Sequence, residues 1–392
     1  MKPAEANTEV MKIALVNKVF SRSHGGLERF SVNLAGALLR AGHEVHVFGQ
    51  RFADLPEGVT VHSLPISRKH SWWRVLDFHG RAARALAVGR YDITMGLTRF
   101  FPMDVYRMGD GVQRHWMCIR YPFPLWRWFN YLVNPAHMAN IYMERRILKR
   151  GGARRIITNS HLCKEHACHY YGVPEEKIEV VYNGVDHALF NPEAGAAMRS
   201  VVRSELGLAN DDIALLHVSN NWGRKGVEVT LRAIAALGQS GQKLHLLVVG
   251  RGKAEPFRRL ALGLGLEGRV HFVGSSPQVE RYYAAGDLLV LPTLYDPFSN
   301  VCLEAMACGL PVVTTAGNGA SEIIEEGKNG FVQRDAKSIS ELVGILENCL
   351  DLDALLKMGN EACRVSQKFT PERNMRETLA VFKKVTRKEV AK

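Results

Sequence analysis

The chain has 392 residues and a formal net charge of +12, with 46% hydrophobic and 23% charged residues. This length favours two domains over a single core, and the composition is that of a globular protein with no apolar run long enough to cross a bilayer. The basic excess predicts attraction to polyanions, which include nucleic acid, anionic lipid head groups and phosphorylated glycans.

The N-terminus and the cysteines indicate the compartment. The only apolar stretch near the start is residues 13–16, which is far too short for a secretory signal. Seven cysteines are scattered without a C-x-x-C unit, so reduced thiols are expected. We therefore expect a cytoplasmic protein.

The first elements form a βαβ unit. An apolar run at residues 12–17 leads to Gly25 and Gly26, and apolar residues then recur at helical spacing as far as residue 39. Residues 44–48 read as the next strand. The pattern predicts a strand, a glycine loop, a helix and a second strand.

The same order begins again with a strand at residues 213–218, a loop to Lys225 and a helix starting near Gly226. Further segments alternate between strand and helix: strands at 244–249, 270–273 and 287–291, and helices at 257–264 and 278–285. Such alternation predicts a parallel sheet covered by helices.

The prediction is therefore an α/β protein with two Rossmann-like, doubly wound domains that face a central cleft. We place the N-terminal domain at residues 1–190 and the C-terminal domain at 191–369, and expect a C-terminal helix at about 370–392 to pack back on the first domain. Ligands of such sheets bind beyond the carboxyl ends of the strands, so the active site is expected between the domains.

Two short motifs suggest phosphate binding. Gly25 and Gly26 lie between a strand and a helix, where backbone N–H groups can approach a phosphate, although a tight turn that needs two glycines is an equal alternative. Arg224 and Lys225 follow the first strand of the second domain and precede a helix start, which suits a diphosphate. The alternative is a solvated pair of surface cations.

The segment 296–311 gives the strongest local indication of a ligand-binding site. Ser299 or Asn300 is expected to cap a helix that runs to Cys308. Asp296 on the loop and Glu304 in the helix could hold the hydroxyl groups of one sugar ligand. Alternatively, Asp296 is a turn residue and Glu304 a partly buried, paired carboxylate. The expected donor-binding residues at the helix start are Phe298, Ser299, Asn300 and Val301.

Two possible metal motifs have simpler explanations. Five potential ligands are close in sequence: His161, Cys163, His166, Cys168 and His169. They fall on a predicted helix that would bring only some of them together, so no metal site is predicted. Asp351 and Asp353 match a D-x-D motif, but an N-cap between two late helices explains them better.

Residues 99–131 combine ten aromatic residues, among them Trp116, Trp126 and Trp128, with five arginines and two acids. Six more basic residues follow at positions 145–155. Aromatic rings with arginines suit the interface of an anionic bilayer, so we predict peripheral membrane binding. The alternative is a buried aromatic core.

Together these motifs resemble a known family. The glycine loop at residues 25–29, the turn at 183–186, the loop at 223–226 and the segment 296–311 occur in the order found in the family 4 retaining glycosyltransferases. The resemblance covers nearly the whole chain and implies the two-domain GT-B fold. Within the family, residues 104–106 before Asp110, and residues 223–227, resemble glucosyltransferases that modify the inner-core heptose of lipopolysaccharide.

The resemblance implies UDP-glucose as donor, a lipid-anchored heptose as acceptor, and the roles of single residues. Gly25 and Gly26 would touch the donor phosphate or sugar, Arg224 and Lys225 would stabilise the departing diphosphate, and Glu304 would hold the ribose. Asp296 stands where the family normally has glutamate, which puts the sugar-side contact in question. Asp110 would line the cleft from the N-terminal domain.

Catalysis in this scheme depends on fixed charge and needs neither a metal nor another cofactor. By the resemblance, retention arises from a front-face reaction in which the departing phosphate oxygen takes the proton of the acceptor. We therefore name no general base. The catalytic residues predicted are Arg224, Lys225, Asp296 and Asp110.

The partners expected are a UDP-sugar donor, a glycolipid acceptor such as the lipopolysaccharide core, and the anionic inner face of the cell membrane. A GT-B nucleotide-sugar epimerase is the nearer alternative. A basic nucleic-acid-binding protein is a further one, but it leaves Asp296, Glu304 and the two doubly wound domains without a purpose. We expect no nucleic-acid partner.

Overall fold

The computed structural model describes residues 10–21, 26–66 and 71–390. The chain divides into two compact units, the first comprising Met1–Tyr182 with Glu372–Lys392 and the second Asn183–Pro371. The division follows Tyr182, whereas the sequence pattern placed it after residue 190. Each unit has its own sheet and its own buried core.

The first unit is built around a parallel sheet of seven strands. The strands of this unit are β1 (Lys12–Val16), β2 (Val19–Phe20), β3 (Glu44–Gly49), β4 (Arg51–Phe52), β5 (Thr60–Ser63), β6 (Ile93–Gly96), β7 (Met103–Met108), β8 (Ala153–Thr158) and β9 (Ile178–Val180). Its helices are α1 (Gly26–Arg40), α2 (Ser71–Val88), α3 (Gln113–Arg120), α4 (Pro124–Val133), α5 (Pro135–Glu144) and α6 (His161–Tyr171), with a π-helical turn at Arg145–Lys149 and a 3-10 turn at Glu175–Lys177.

The strand order of this sheet is β5-β3-β1-β6-β7-β8-β9, and β2 pairs separately with β4. The chain runs outward from β1 through β3 to β5 and then returns to begin β6 on the other side of β1. The topological switch point therefore lies between β1 and β6, where the loops at the carboxyl ends of the strands diverge and leave room for a ligand.

The second unit repeats this plan with six parallel strands in the order β12-β11-β10-β13-β14-β15. Its strands are β10 (Ile213–Val218), β11 (Leu244–Val249), β12 (Val270–Gly274), β13 (Leu288–Leu291), β14 (Val312–Thr315) and β15 (Gly330–Gln333). Its helices are α7 (Pro192–Glu205), α8 (Trp222–Lys225), α9 (Val227–Ala236), α10 (Ala254–Gly263), α11 (Glu280–Ala285), α12 (Asn300–Ala307), α13 (Ile339–Glu347) and α14 (Leu352–Ser366), with a 3-10 turn at Gly319–Ile323. Here the switch point lies between β10 and β13.

The central strand β10 is buried along its whole length, as expected for a strand with helices on both faces of its sheet. His217 is its one strongly polar side chain. Nδ1 of His217 donates to the carbonyl of Val290 (2.9 Å), so Nε2 accepts from the hydroxyl of Ser219 (3.0 Å). Burial lowers the pKa of His217 to about 3, which keeps the ring neutral and the start of the following loop fixed.

The C-terminal helix α15 (Pro371–Val390) returns the chain to the first unit. Val381, Phe382 and Val385 are buried there in the cluster that also contains Ile13 and Leu15 of β1. Near the start of α15, the side chain of Asn374 donates to the carbonyl of Tyr182 (2.5 Å). The first unit therefore combines the first half of the chain with helix α15.

The predicted α/β class and the two doubly wound parallel sheets are confirmed. The strands predicted at residues 213–218 and 244–249 match β10 and β11. The helix predicted to start near Gly226 is confirmed as α9, which begins at Val227, but the preceding loop contains a short helix, α8, that was not predicted.

Candidate active site

The loop after β10 holds Arg224 and Lys225 at the carboxyl end of the central strand. The side chain of Asn221 accepts a hydrogen bond from the backbone N–H of Arg224 (3.3 Å) and so caps α8. Gly226 ends α8 with a φ of 85°, and a Cβ there would lie 2.2 Å from the carbonyl oxygen of Pro292. Only glycine fits this close approach, which keeps Lys225 in its buried position.

Lys225 bridges the switch point of the second sheet. Its ammonium group contacts the carboxylate of Asp296, which lies on the loop after β13, and donates to the hydroxyl of Ser299 (2.9 Å). The side chains of Lys225 and Asp296 are only 10% and 13% exposed. An ammonium group has three N–H donors, so these two contacts leave one donor for a ligand.

Asp296 stays ionised in this setting. Burial alone would raise the pKa of its carboxyl, but the Lys225 ammonium and neighbouring hydrogen bonds outweigh burial and lower the pKa below its ordinary value. The backbone N–H of Phe298 also donates to Asp296 (3.2 Å). Asp296 therefore fixes the position of Lys225 and the shape of its own loop.

Arg224 also contacts the loop after β13, which carries Asp296. Its guanidinium donates to the carbonyl of Tyr295 (2.7 Å), and its own carbonyl accepts from the backbone N–H of Leu294 (2.9 Å). The two cations that the sequence placed after β10 are thus brought against the segment after β13. Their charge is concentrated where doubly wound sheets bind ligands.

The start of α12 differs from the sequence prediction. Ser299 occupies the N-cap position but makes no side-chain capping bond, and its hydroxyl accepts from Lys225. The side-chain oxygen of Asn318 accepts from the backbone N–H of Ser299 (3.1 Å) and so holds the N-cap residue in place. The side chain of Asn300 accepts instead from the side-chain N–H of Asn183 (2.6 Å).

Asn318 was not predicted as a site residue. It lies between Gly317 and Gly319 shortly after β14, a pattern typical of a turn. Its side-chain N–H also donates to Thr314 (2.8 Å), so one buried amide links β14 to the start of α12. This linkage fixes the loop that carries the predicted donor-binding residues. Among these, Phe298 is buried, and Val301 is half-buried.

Glu304 lies in α12, one helical turn beyond Asn300, and is half-buried. Its carboxylate accepts a hydrogen bond from the phenol of Tyr283 (2.8 Å), a fully buried residue of α11. Burial, together with the Glu304 charge, raises the pKa of Tyr283 well above its ordinary value, so the phenol remains a donor. Tyr283 was not identified from the sequence, because nothing local to it signals this contact.

The remaining predicted site residues belong to the first unit. Gly25 lies outside the described residues, and Gly26 is the exposed first residue of α1. Asp110 follows β7 and is 55% exposed, with one carboxylate oxygen 3.9 Å from the guanidinium of Arg99. Asp110 and Gly26 are therefore in a different unit from Arg224, Lys225, Asp296 and Glu304.

The two possible metal motifs have structural roles. His166 on α6 stacks against His115 of α3, with ring centres 3.6 Å apart, and burial lowers the pKa of each to about 4. Within the ranges that the structure describes, no group of three or more His, Cys, Asp or Glu residues could hold a metal ion. The N-cap prediction for Asp351 is confirmed, since its side chain accepts from the backbone N–H of Asp353 (2.9 Å).

The aromatic-rich region divides into two parts. Phe100 and Tyr106 are buried in the core of the first unit, as the buried-core alternative expects. Helix α4, in contrast, has no buried residue. Its large apolar side chains are 50–82% exposed: Leu125, Trp126, Trp128, Phe129, Leu132 and Val133. We call α4 with Phe123, which is 68% exposed, the apolar helix.

The polarity of the apolar helix is the reverse of that of an ordinary surface helix. Arg127, which is less exposed than its neighbours, donates to the thiol of Cys118 (2.6 Å), while the tryptophans face outward. The segment 113–133 contains three arginines and no acidic residue. No helix in the described part of the chain is both long and apolar enough to span a membrane.

Comparison with known proteins identifies the families to which these units are similar. Residues 24–189 match the family model described as Glycosyltransferase Family 4, and residues 212–350 match the model described as Glycosyl transferases group 1. The matched ranges fall in the first and second unit, apart from the residues around the division between them.

The chain is 27% identical to the lipopolysaccharide glucosyltransferase WaaG of Escherichia coli K12 over 330 residues, which cover 83% of this chain and 86% of WaaG. A crystal structure of WaaG, a glycosyltransferase involved in lipopolysaccharide biosynthesis, matches with a TM-score of 0.77 and 24% identity over 91% of this chain and 95% of that one. Anabaena HepE in complex with UDP and glucose matches with a TM-score of 0.70 and 22% identity, covering 94% and 98%.

Proposed function

We propose, from the premise that this chain belongs to the family 4 glycosyltransferases and has their GT-B fold, that it is a retaining hexosyltransferase. Its donor in this proposal is UDP-glucose, and its acceptor is a membrane-associated glycolipid such as the inner-core heptose of lipopolysaccharide. The similarity to WaaG supports the acceptor class, and the UDP and glucose bound to HepE support the donor. The second unit binds the donor, and the first unit binds the acceptor.

One observation carries this proposal: Arg224 and Lys225 meet the loop of Asp296 across the switch point of the second sheet. Cleavage of the anomeric bond leaves negative charge on the diphosphate. Cations that are already fixed by Asp296, Ser299 and the Tyr295 carbonyl stabilise that charge without rearranging during the reaction. The N–H groups at the start of α12 add to the same field.

The remaining roles in the proposal are those that the family resemblance implies. Glu304, held by Tyr283, binds the ribose hydroxyls, and Phe298, Ser299, Asn300 and Val301 surround the phosphates and sugar. For Asp110, Gly25 and Gly26 we propose the roles that the family resemblance implies. The departing phosphate oxygen accepts the proton of the acceptor hydroxyl, so the proposed reaction needs no protein base and takes its positive charge from Arg224 and Lys225 instead of a metal ion.

A panel of nucleotide sugars tests the donor assignment. UDP-glucose is expected to raise the melting temperature of the protein, because a ligand that binds only the folded state stabilises it in proportion to RT ln(1 + [L]/Kd). At a concentration of about 100 Kd the gain is about 2.7 kcal/mol. GDP-glucose, ADP-glucose and UDP-galactose serve as matched controls, and an equal response to all four, or to none, contradicts the assignment.

Incubation with labelled UDP-glucose in the absence of acceptor separates the proposal from its nearer alternative. A transferase returns the donor unchanged or releases glucose slowly to water. A nucleotide-sugar epimerase converts the donor to another UDP-sugar or splits it with inversion of a sugar centre. Conversion at the rate of a normal turnover would reject the transferase.

We further propose that the apolar helix seats the enzyme on the cytoplasmic face of an anionic membrane. The outward tryptophans, leucine and phenylalanine would enter the head-group region, and arginines of the segment 113–133 would contact lipid phosphates. This orientation explains why the exposed face of α4 is apolar, and it brings the first unit to the surface where a glycolipid acceptor resides.

The double variant Trp126→Ala/Trp128→Ala is expected to bind vesicles containing anionic phospholipid about tenfold more weakly in cosedimentation, because it removes two large apolar anchors. Leu356→Ala in the second unit is the matched control, since Leu356 is similarly exposed at 63% but lies outside the apolar helix. Equal losses in the two variants, or binding to purely neutral vesicles with the same affinity, would argue against this surface.

A further inference from the structure

The switch point of the first sheet carries a cluster of charged side chains, of which only Asp110 has a role in the proposed reaction. Lys18 follows β1, Arg99 follows β6 and Asp110 follows β7, and these three parallel strands are adjacent. The carboxyl ends of parallel strands lie at one edge of the sheet, so the three residues share that edge. Arg74 on α2 is close enough to Lys18 to influence its titration.

Arg99 is fixed by a buried partner. Its guanidinium donates to Glu144 (2.8 Å), which is 1% exposed and also accepts from the phenol of Tyr171 (2.7 Å) and the backbone N–H of Gln113 (2.7 Å). Nε of Arg99 is buried and has no hydrogen-bond partner among the described residues. The charge of Arg99 is therefore largely matched by Glu144, while Asp110 is more distant and half exposed.

Lys18 lacks such a partner. Its ammonium lies 6.0 Å from the centre of the Phe78 ring and makes no hydrogen bond or ion pair with any residue in the ranges that the structure describes. Burial, followed by the charge of Arg99, lowers the pKa of Lys18, and Asp110 only partly opposes this. The internal segments outside the described ranges, residues 22–25 and 67–70, contain no acidic residue.

A partly buried cation has lost part of its hydration, and for Lys18 no counter-ion among the described residues replaces it, so binding of an anion there is favoured. Three cations, Lys18, Arg74 and Arg99, face two carboxylates, Asp110 and Glu144, and leave an excess of positive charge. A phosphate monoester, with up to two negative charges and three acceptor oxygens, suits a lysine and an arginine on one edge better than a carboxylate does.

We propose that Lys18 and Arg99 bind a phosphate group on the acceptor, and that the acceptor class is therefore a phosphorylated sugar. The inference rests on the proposed function for the assignment of the first unit to the acceptor. The phosphate would anchor the acceptor at the switch point of the first sheet, as the diphosphate anchors the donor at that of the second. Asp110, on the same edge, would meet the sugar hydroxyls beside the phosphate.

Residue-specific labelling tests the site directly. Acetic anhydride is applied near pH 8, and acetylation of each lysine is measured by mass spectrometry with glucose 6-phosphate, glucuronate or glucose present. Glucose 6-phosphate is expected to slow the acetylation of Lys18 several-fold, and glucose to have no effect. Lys12 is the internal control, because it lies at the opposite end of β1 and is already paired with Glu44.

Binding of glucose 6-phosphate by calorimetry, with saturating UDP to fill the donor site, gives the second measurement. Lys18→Met is expected to weaken binding about tenfold or more, the usual range for loss of a charged hydrogen bond, whereas Lys18→Arg and Lys12→Met retain it. If glucuronate protected Lys18 from acetylation as well as glucose 6-phosphate does, the site would bind anions in general and the assignment to phosphate would be wrong. Equal affinity of Lys18→Met and Lys12→Met for glucose 6-phosphate would also overturn the assignment.

The same experiments separate this inference from the proposed function. Protection of Lys18 by UDP-glucose but not by glucose 6-phosphate would assign the cluster to the donor and reject the acceptor phosphate, while the transferase assignment would stand. Protection by glucose 6-phosphate in a protein that no UDP-sugar stabilises would keep the anion site and reject the proposed donor.

Discussion

Lys225→Ala is expected to lower kcat with UDP-glucose by about 10²- to 10³-fold, because it removes a preorganised positive group from the side of the departing diphosphate. It is also expected to destabilise the second unit by about 3 kcal/mol, since the nearly buried carboxylate of Asp296 loses its counter-ion. Steady-state kinetics and urea denaturation measure the two effects. Lys243→Ala is the control, because its ion pair with Asp211 is exposed and contributes little.

The double variant Lys225→Ala/Asp296→Asn distinguishes the catalytic from the structural contribution. It removes both charges of the pair, so the stability is expected to return to within about 1 kcal/mol of the wild type. Activity should remain as low as in Lys225→Ala. Recovery of activity along with stability would mean that Lys225 acts only through the fold, and wild-type kcat in the single variant would exclude it from the site.

Glu304→Ala is expected to lower kcat/KM for UDP-glucose by about 100-fold, chiefly through KM, because a carboxylate that accepts from two ribose hydroxyls contributes charged hydrogen bonds to donor binding. A donor with a 2′-deoxyribose removes from the ligand one of the hydroxyl groups that Glu304 is proposed to bind. The wild type should bind this donor more weakly than UDP-glucose, while Glu304→Ala should scarcely distinguish the two. An equal preference in both proteins would show that Glu304 does not hold the ribose.

Tyr283→Phe is the matched control for this prediction. It removes the 2.8 Å hydrogen bond to Glu304 and leaves the carboxylate in place. An effect about tenfold smaller than that of Glu304→Ala is expected, because Tyr283 positions Glu304 and does not touch the donor. If Tyr283→Phe retained full activity and lost only stability, the contact would be structural alone.

The order of strands and helices was predictable because each element carries its own local pattern. The apolar runs of β10 and β11, and the glycine-bounded helices between the strands, are visible in single segments of the sequence. The position of Asp351 at an N-cap is equally local. The extra helix α8 was missed because its four residues are too few to show a period and depend on the cap by Asn221.

Residues of the proposed donor site were found from the sequence, but their partners were not. Lys225 and Asp296 pair although they lie 71 residues apart, and the sequence analysis predicted a ligand for each of them but not their contact with each other. Asn318 and Tyr283 act through contacts made across strands and helices. Such contacts depend on which strands are neighbours, which no local pattern records.

In the aromatic-rich region, the sequence also did not predict which side chains are buried and which are exposed. Composition could not decide between a buried core and an exposed surface, because both are rich in Phe, Tyr and Trp. The structure places Phe100 and Tyr106 inside and Trp126 and Trp128 outside. Burial depends on how a helix packs against its neighbours, and α4 packs against helix α5 with no residue of its own buried.

The amino-acid sequence by itself determined the parallel α/β class, the restart of the pattern in a second half, and the glycine, basic and acidic residues of the loops after the strands. These are properties of segments a few residues long, set by periodicity, caps and turn chemistry. Only the tertiary structure decided that Lys225 is neutralised by Asp296 while Lys18 lacks any counter-ion in the described part of the chain. Charge pairing depends on distance in space and on exclusion of water, and both exist only after the strands have assembled into sheets.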